Sequence, residues 1–232
     1  MSVLYVISTP IGNMQDITLR AIETLKTVDF IICEDTRETS KLLHHFEIKK
    51  ELISSNAQSE SRKIGIILDR ISTGQKAALV SDAGTPCISD PGIRLVNAAI
   101  QKQIKVVPIP GVNAAITALS ISGLPTDSFV FEGFLPQKKG RQKKLTELSQ
   151  ETRTIVLYES VYRIEKLLDE LNQYMPNRFV SVCRELTKMF EEVWQGYPSE
   201  IISKLNVKTI KGEFVVVISP VDWKDSHDRI DK

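Results

Sequence analysis

The feature that most constrains the fold is an alternation repeated through the first half of the chain. A short apolar run is followed by a loop rich in Gly, Pro, Asp or Ser, and then by a helical pattern. The apolar runs are Val3–Ile7, Phe30–Cys33, Ala77–Val80 and Val106–Ile109. They are apolar throughout, which is typical of strands covered on both faces. Strands that alternate with helices predict an α/β domain with a mostly parallel sheet.

Helical patterns follow these runs, with apolar residues three and four positions apart. Asp16 stands just before the first pattern, and we expect it to cap that helix. A later pattern has apolar residues at spacings of 3, 1 and 3, namely Ile64, Ile67, Leu68 and Ile71. The segment from Ala114 to Leu119 has small side chains and little polar surface. It predicts a helix that is packed on several sides.

The second half of the chain predicts a second α/β domain. Gly123–Asp127 combines Gly, Pro and Asp between two apolar segments and marks the boundary. We therefore predict domains at 1–122 and 123–220, with a polar tail at 221–232. The second domain has a lower ratio of predicted helices to predicted strands than the first, so its sheet is predicted to be mixed. Its predicted strands are Phe129–Glu132, Ile155–Tyr158, Val180–Cys183, Glu192–Gln195 and Phe214–Ile218.

Composition excludes several classes of protein. With a net charge of +1, the chain is not a strongly basic nucleic-acid binder, so any contact with RNA must come from a local patch. Its three cysteines are far apart and indicate neither a disulfide framework nor a zinc site. No signal peptide and no apolar run of about 18–20 residues is present. We therefore expect a cytoplasmic protein with no membrane partner and no bound metal.

A ligand site is expected where the predicted parallel strands end, because open α/β sheets bind ligands there. Asp82 and Asp90 could accept hydrogen bonds from ribose hydroxyls or an amino group. Asp90 could equally cap a helix that has Pro91 at its first position. The usual dinucleotide, P-loop and nucleophile-elbow motifs are absent from the sequence. The loops concerned are Ser8–Asn13, Glu34–Arg37, Ser81–Pro91 and Pro110–Asn113.

A dense basic segment, Lys138–Lys144, has five cations in seven positions. One interpretation is a contact with RNA phosphates. The other is a solvated loop followed by the first turn of a helix. Positive charge at a helix N-terminus opposes the helix dipole, which favours a use other than helix stability.

An ordered set of motifs resembles the ribosomal small-subunit RNA ribose-2′-O-methyltransferase I family, within the tetrapyrrole-methylase (class III) superfamily. The resemblance covers residues 3–219. The motifs that carry it are Thr9–Asn13, Glu34–Arg37, Ser81–Pro86, Ser89–Gly92, Pro110–Gly111, Gly123–Pro125, Glu132–Pro136, Tyr158–Ser160, Arg184–Lys188 and Lys211–Glu213.

The resemblance implies two α/β domains with S-adenosylmethionine in a cleft between them, and a homodimer. It also implies methylation of the ribose 2′-hydroxyl of a decoding-region cytidine of 16S rRNA within the small ribosomal subunit. Positions matching cofactor contacts in the first half are Pro10, Ile11, Gly12, Asp82, Ala83, Gly84, Thr85, Gly111, Asn113 and Ala114. Those in the second half are Tyr158, Leu186, Gly212 and Glu213.

Methylation of a hydroxyl needs a proton acceptor and benefits from a cation near the developing alkoxide. The candidates for these roles are Glu34, Asp35, Arg37, Glu185 and Lys188. Arg184 and Glu185 could instead be ion-paired at an interface. The candidates for RNA contacts are Lys138, Lys139, Arg141, Lys143, Lys144 and Arg184.

The chain departs from the family pattern in two places, and the sequence leaves two other functions open. Many relatives have a histidine-rich segment where this chain has Asn56–Glu60, and many continue further at the C-terminus. Methylation of a small tetrapyrrole-like molecule is one alternative function. A non-catalytic RNA-binding assembly factor is the other, although the intact Ser81–Pro86 loop argues against it.

Overall fold

A computed structural model of the chain describes residues 2–55, 60–205 and 211–224. The chain divides into two compact units, Met1–Asn113 and Ala114–Lys232. The division lies before the helix that starts at Ala114, whereas the sequence predicted a boundary after that helix. The segment Asn56–Ser59 and the tail beyond Lys224 lie outside the described residues.

The first unit contains a five-stranded sheet in which every pair of neighbouring strands is parallel. Its strand order is β3-β2-β4-β1-β5. The predicted parallel sheet is thus confirmed. The strands are β1 (Val3–Ile7), β2 (Phe30–Cys33), β3 (Glu51–Ser54), β4 (Lys76–Leu79) and β5 (Lys105–Ile109). The helices are α1 (Leu19–Thr27), α2 (Thr36–His45), α3 (Glu60–Ser72) and α4 (Ile93–Gln101).

Strand β2 shows why these runs are apolar at every position. Successive side chains of a strand point to opposite faces of the sheet. Phe30 and Ile32 pack in a cluster with Ile67 and Ile71 of α3. Ile31 and Cys33 pack in another cluster, with Leu25 of α1 and Leu43 of α2. Each face of the sheet is covered by helices, so no position of β2 is left for a polar side chain.

The predicted cap of the first helix is wrong. Helix α1 begins after Thr18, whose Oγ1 accepts a hydrogen bond of 3.1 Å from the backbone N–H of Ala21. Asp16 instead ends a short 3-10 turn, Met14–Asp16, which is capped by the side chain of Asn13. Thr and Asp both satisfy exposed N–H groups of a helix, and the intervening turn decides between them.

The second unit contains a mixed sheet of order β6-β7-β10-β8-β9, as predicted. Strands β6 and β7 are parallel, and the other neighbouring pairs are antiparallel. The strands are β6 (Phe129–Phe134), β7 (Thr154–Ser160), β8 (Val180–Arg184), β9 (Glu192–Gly196) and β10 (Glu213–Ile218). The helices are α5 (Ala114–Ile121), α6 (Arg141–Ser149), α7 (Ile164–Tyr174) and α8 (Pro198–Leu205).

The helices of this unit correct two expectations. With α5, α6 and α8 beside α7, the unit is not poor in helices. Helix α5 buries Ala115, Ala118 and Leu119 but leaves Ile116 and Ile121 exposed. It is therefore covered on one side rather than on several. Across the described parts of the chain, no helix is both long and apolar enough to cross a membrane.

A buried guanidinium ties together three segments of the second unit. Arg178 is 4% exposed and donates hydrogen bonds to the carbonyls of Ser219 (2.6 Å), Leu148 (2.8 Å) and Arg153 (3.4 Å). Burial lowers the pKa of Arg178 to about 10. These bonds connect the end of α6, the residue before β7 and the residue after β10.

We predict that Arg178→Met destabilises the chain by about 2–4 kcal/mol, because three carbonyls lose a charged donor in a buried place. Urea unfolding measures the difference. Arg153→Met is the matched control, since that side chain is half exposed and its ion pair with Glu151 is at the surface. Equal losses of stability in the two variants would contradict the role given to Arg178.

Candidate active site

The loops that follow β1 and β4 are joined by a reciprocal pair of backbone hydrogen bonds. The N–H of Thr9 donates to the carbonyl of Gly84 at 2.8 Å, and the N–H of Gly84 donates back at 3.1 Å. The hydroxyl of Thr9 also donates to the carbonyl of Ser81 at 3.2 Å. The loop Ser81–Pro86 is therefore held firmly against the end of β1.

A chain of hydroxyls connects these loops to the loop after β5. Ser8 Oγ donates to Thr85 Oγ1 at 3.1 Å, and Thr85 Oγ1 donates to the carbonyl of Val112 at 2.9 Å. A Cβ atom on Gly111 would lie 2.9 Å from Ser8 Cβ, so this close approach requires glycine. Three of the four loops predicted from the sequence, those after β1, β4 and β5, therefore come together at the carboxyl edge of the sheet.

Acidic side chains crowd the same edge. Asp82 Oδ1 accepts a hydrogen bond of 3.0 Å from the backbone N–H of Asp35, which follows β2. Burial, and then the charge of Glu34, raise the pKa of Asp90 to about 6. Burial, and then neighbouring carboxylates, also raise the pKa of Glu34. Burial raises the pKa of Asp82 as well. A cationic ligand at this edge would relieve the repulsion.

Asp35 differs from the carboxylates of Glu34, Asp82 and Asp90, because its pKa is lowered rather than raised. Arg37 is exposed, and it donates side-chain hydrogen bonds to Asp35 that lower the pKa of Asp35 to about 2.

Asp90 does not cap α4, because the N-cap position is Gly92 and no side chain caps that helix. The side chain of Ser81 instead acts on Asp90, lowering a pKa that burial and the charge of Glu34 raise. The helix-cap interpretation of Asp90 is therefore wrong.

In the second unit, the predicted residues meet at one edge of the mixed sheet. Strand β10 runs antiparallel to β7 and β8, so its start lies beside their ends. Val215 pairs with Tyr158, and Phe214 pairs with Arg184. The hydroxyl of Tyr158 accepts a hydrogen bond of 3.2 Å from the N–H of Ala115, next to Ala114 at the start of α5. Leu186 is buried just beyond β8.

A small ionic cluster lies at this edge. Lys188 Nζ is 2.9 Å from Glu185 Oε1 and 2.9 Å from Glu213 Oε2. Burial acts to lower the pKa of Lys188, but its hydrogen bonds to the two carboxylates outweigh burial and raise it. Burial likewise acts to raise the pKa of Glu185, and the hydrogen bonds from Lys188 and the N–H of Glu213 outweigh it and lower that pKa. Lys188 is thus a paired cation, and Glu185 is a paired carboxylate.

Backbone strain accompanies this cluster. Glu185 and Thr187 have positive φ values of 51° and 65°, which non-glycine residues adopt rarely. Gly212 has φ +112°, and a Cβ atom there would lie 2.5 Å from Glu185 Cγ. Any other residue at position 212 would therefore be strained at this φ and would displace the Glu185 side chain from the ionic cluster.

The predicted RNA-binding cations separate into exposed and engaged side chains. Lys138, Lys139 and Lys143 are exposed. Arg141, however, is buried, and its guanidinium lies 2.6 Å from a carboxylate oxygen of Glu170. Arg184 donates to the carbonyl of Lys211 and pairs with Glu192. We therefore withdraw Arg141 as an RNA contact, because its charge does not reach the surface.

Metal chemistry has no visible basis in the residues that the structure describes. No group of three or more His, Cys, Asp or Glu side chains among them is arranged to hold a metal ion. Cys33, Cys87 and Cys183, which all lie in the described part of the chain, form no disulfide bond.

Comparison with known proteins decides the family. The family model of the tetrapyrrole (corrin/porphyrin) methylases matches residues 3–201. The chain belongs to this methylase family. Residues 3–201 include the loops after β1, β2, β4 and β5 in the first unit, and Tyr158 and Leu186 in the second. The glycines and carboxylates at the ends of these strands therefore lie within the part of the chain that matches the methylase family.

Relatives within the methylase family agree with the resemblance drawn from the motifs. The chain is 49% identical, over 93% of its length, to ribosomal RNA small subunit methyltransferase I of Halalkalibacterium halodurans, and covers 75% of that protein. It is also 49% identical, over 97% of its length, to the protein of the same name from a Synechocystis strain, of which it covers 81%. The predicted family is confirmed.

Solved structures with the same fold are more distant in sequence. Cobalt precorrin-4 methyltransferase, a cobalamin biosynthetic enzyme, matches with a TM-score of 0.71 at 18% identity, covering 94% of this chain and 95% of that one. Uroporphyrin-III C-methyltransferase of Thermus thermophilus, complexed with S-adenosylhomocysteine, matches with a TM-score of 0.65 at 16% identity, covering 92% and 96%. At these identities the likeness is one of fold.

We predict that Gly212→Ala weakens S-adenosylhomocysteine binding at least about tenfold, because the new Cβ displaces Glu185 and disturbs Glu213 and Leu186. Isothermal titration calorimetry measures the affinity. Gly74→Ala is the matched control, since Gly74 has a similar φ of +102° but has open space around its Cβ position. Equal affinities of the two variants would show that this edge does not hold the cofactor.

We predict a pH-dependent gain of stability in Asp90→Asn. The pKa of Asp90 is raised from 3.8 to about 6, so the folded chain holds this proton more tightly than the unfolded chain. The contribution of the protonated Asp90 carboxyl to the stability of the folded chain is fully present below about pH 4, and it is lost as the pH rises through about 6. The variant should therefore unfold at a higher temperature than the wild type at pH 8, and by a smaller margin at pH 4.

Thermal unfolding at both pH values measures this margin, with the exposed Asp127→Asn as control. A margin that does not change with pH would contradict the assignment of a raised pKa to Asp90.

Proposed function

We propose that this protein transfers a methyl group from S-adenosylmethionine to the ribose 2′-hydroxyl of a decoding-region cytidine in 16S rRNA. The observation that carries the proposal is the 49% identity over 93% of the chain to a ribosomal RNA small subunit methyltransferase I. The substrate in this proposal is the rRNA within the small ribosomal subunit. A homodimer in the cytoplasm is part of the same proposal.

The first unit suits S-adenosylmethionine, which is the cofactor of this methyltransferase. Gly84 and Gly111 let the loops at this edge approach one another closely, because a Cβ atom at either position would crowd Ile11 or Ser8. Glu34, Asp82 and Asp90 supply negative charge against a sulfonium cation. When bound, the cofactor supplies a methyl group that is already activated, so the protein contributes mainly position.

Candidates for contacts with this cofactor follow from the motifs. In the first half they are Pro10, Ile11, Gly12, Asp82, Ala83, Gly84, Thr85, Gly111, Asn113 and Ala114. In the second half they are Tyr158, Leu186, Gly212 and Glu213. All of these assignments are part of the proposal.

The proton of the 2′-hydroxyl requires an acceptor that is not already neutralised by a cation. Among the candidates, Asp35 is held by Arg37, and Glu185 is held by Lys188. Among the described residues, the charged groups that interact with Glu34 are the carboxylates of Asp82, Asp35 and Asp90. We propose Glu34 as the proton acceptor, with Asp90 beside it as the alternative. Arg37 and Lys188 then serve to orient carboxylates.

The RNA side of the proposal rests on the basic segment. Lys138, Lys139 and Lys143 are exposed after β6 and at the start of α6. Exposed lysines bind phosphates with little dependence on sequence, so they would position the RNA rather than select the nucleotide. Lys144 and Arg184 each have a carboxylate partner, Glu132 and Glu192, and would contribute less.

A second candidate function is methylation of a small tetrapyrrole-like molecule. The description of the family favours it, since the matching model is that of corrin and porphyrin methylases. Reversing the charge of Lys138, Lys139 and Lys143 separates the two functions, because it should abolish methylation of RNA and spare a small neutral or acidic substrate. A non-catalytic assembly factor would fail to bind S-adenosylhomocysteine in calorimetry.

We predict that the purified protein transfers radiolabelled methyl groups from S-adenosylmethionine to small ribosomal subunits that lack the modification. The label should appear on a ribose of 16S rRNA, and mapping by nuclease digestion and mass spectrometry locates the nucleotide. Subunits that already carry the modification are the control. Label on a base, or no label in RNA, would overturn the proposed function.

A further inference from the structure

A groove opens on the second unit between the end of β6 and the start of α6. Its volume is about 440 Å³, within the roughly 300–1,000 Å³ that small-molecule pockets occupy. The side chains and backbone that line it include Phe134, Leu135, Pro136, Gly140, Lys143 and Lys144. The groove thus combines apolar walls with two lysines and two glutamates, Glu132 and Glu147. Glu132 pairs closely with Lys144, at 2.7 Å, whereas Glu147 is 3.9 Å from Lys143.

Phe134 presents an aromatic ring at this groove. Its side chain is half exposed, at 51%, although it ends a strand of a well-packed sheet. The register of β6 shifts between Phe131 and Gly133, and Gly133 has φ +59°. This bulge re-aims the end of the strand. The exposure of Phe134 is therefore built into the backbone just before it.

The ring of Phe134 is also held in place. Its centroid lies 5.7 Å from that of Tyr158 in an edge arrangement. The guanidinium carbon of Arg163 lies 5.8 Å from the Phe134 centroid. Arg163 is itself fixed by an ion pair of 2.8 Å with the buried Glu159. An aromatic ring held by such contacts on some sides and open to solvent elsewhere is a ready-made stacking surface.

A second aromatic ring lies close by. Tyr162 precedes Arg163 and is 94% exposed. It follows β7, which is the parallel neighbour of β6, so both aromatic residues stand at the same edge of the sheet. The exposed lysines Lys138, Lys139 and Lys143 follow β6 in the chain, and Lys143 lines the groove together with Phe134. Lys143 is only loosely paired, 3.9 Å from Glu147.

We infer that this surface binds an unpaired stretch of the RNA substrate, with a base stacked on Phe134, another base on Tyr162, and phosphates on the lysines. Aromatic rings interleaved with cations are the means by which proteins hold single-stranded nucleic acid. Bases inside a duplex do not offer their faces to a side chain, so a double-stranded segment would leave both rings unused. The inference rests on the proposed function and names the form of RNA that is bound.

The test measures binding of a fluorescent single-stranded RNA of about 12 nucleotides, and of the same strand in a duplex, by fluorescence anisotropy. Phe134→Ala and Tyr162→Ala should each weaken single-strand binding about tenfold and change duplex binding little. Phe134→Trp should retain it, because the ring is kept. Phe129→Ala, at the opposite end of β6, is the matched control and should bind as the wild type does.

Several outcomes would overturn the inference. One is single-strand binding that is unchanged in both alanine variants while charge reversal of the lysines abolishes it, since phosphates alone would then hold the RNA. Another is tighter binding of the duplex than of the single strand. Circular dichroism checks folding, and Tyr162→Ala and Phe134→Trp keep the test decisive if Phe134→Ala does not fold.

Failure of the proposed function has a different signature. In that case the wild type itself transfers no methyl group to the ribose of small-subunit rRNA. If the wild type does methylate the rRNA and the variants bind and methylate it equally well, only the stacking inference fails. If the variants raise KM for the subunits, with kcat and S-adenosylhomocysteine affinity kept, both stand.

Discussion

The reciprocal hydrogen bonds between Thr9 and Gly84 are the contact on which the first-unit site depends. Loops after parallel strands all leave from one edge of the sheet, but nothing in a parallel sheet by itself holds them together. The pair of backbone bonds does so for the two central strands, β1 and β4. The hydroxyls of Ser8 and Thr85 then extend the connection to the loop after β5. These bonds hold the three loops in one arrangement before any ligand binds.

That rigidity has an electrostatic consequence. Burial is the main cause that raises the pKa values of Glu34, Asp82 and Asp90, and the charges of neighbouring carboxylates add to it. Flexible loops would relieve that added repulsion by moving apart. The sheet thus holds an unfavourable charge distribution in the free protein. Under the proposed function, a sulfonium ligand bound at this edge would convert that repulsion into attraction. S-adenosylhomocysteine, which has lost the sulfonium charge, would gain nothing from these carboxylates.

Much of this could be predicted from the sequence, for reasons that particular residues make clear. Strand β2 was predicted to the residue because a strand buried on both faces must be apolar throughout. Strand β3 was not assigned, since it lies at an edge of the sheet and its first residue is the exposed Glu51. Thr18 and Asp16 are both good helix caps, and only the three-dimensional turn between them selects Thr18. Asp90 is a possible ligand contact by its sequence position, yet the burial that raises its pKa arises only in the folded loop.

The basic segment shows the limit of such reasoning most clearly. Five cations in seven positions look equivalent in sequence, but Arg141 is buried against Glu170, which lies 29 positions away. That contact anchors the first turn of α6, whose N-cap, Gly140, offers no side-chain hydrogen bond. Positive charge there opposes the helix dipole. With Arg141 anchoring the turn, the neighbouring lysines need not stabilise the helix, and they remain at the surface, where a polyanion can neutralise them.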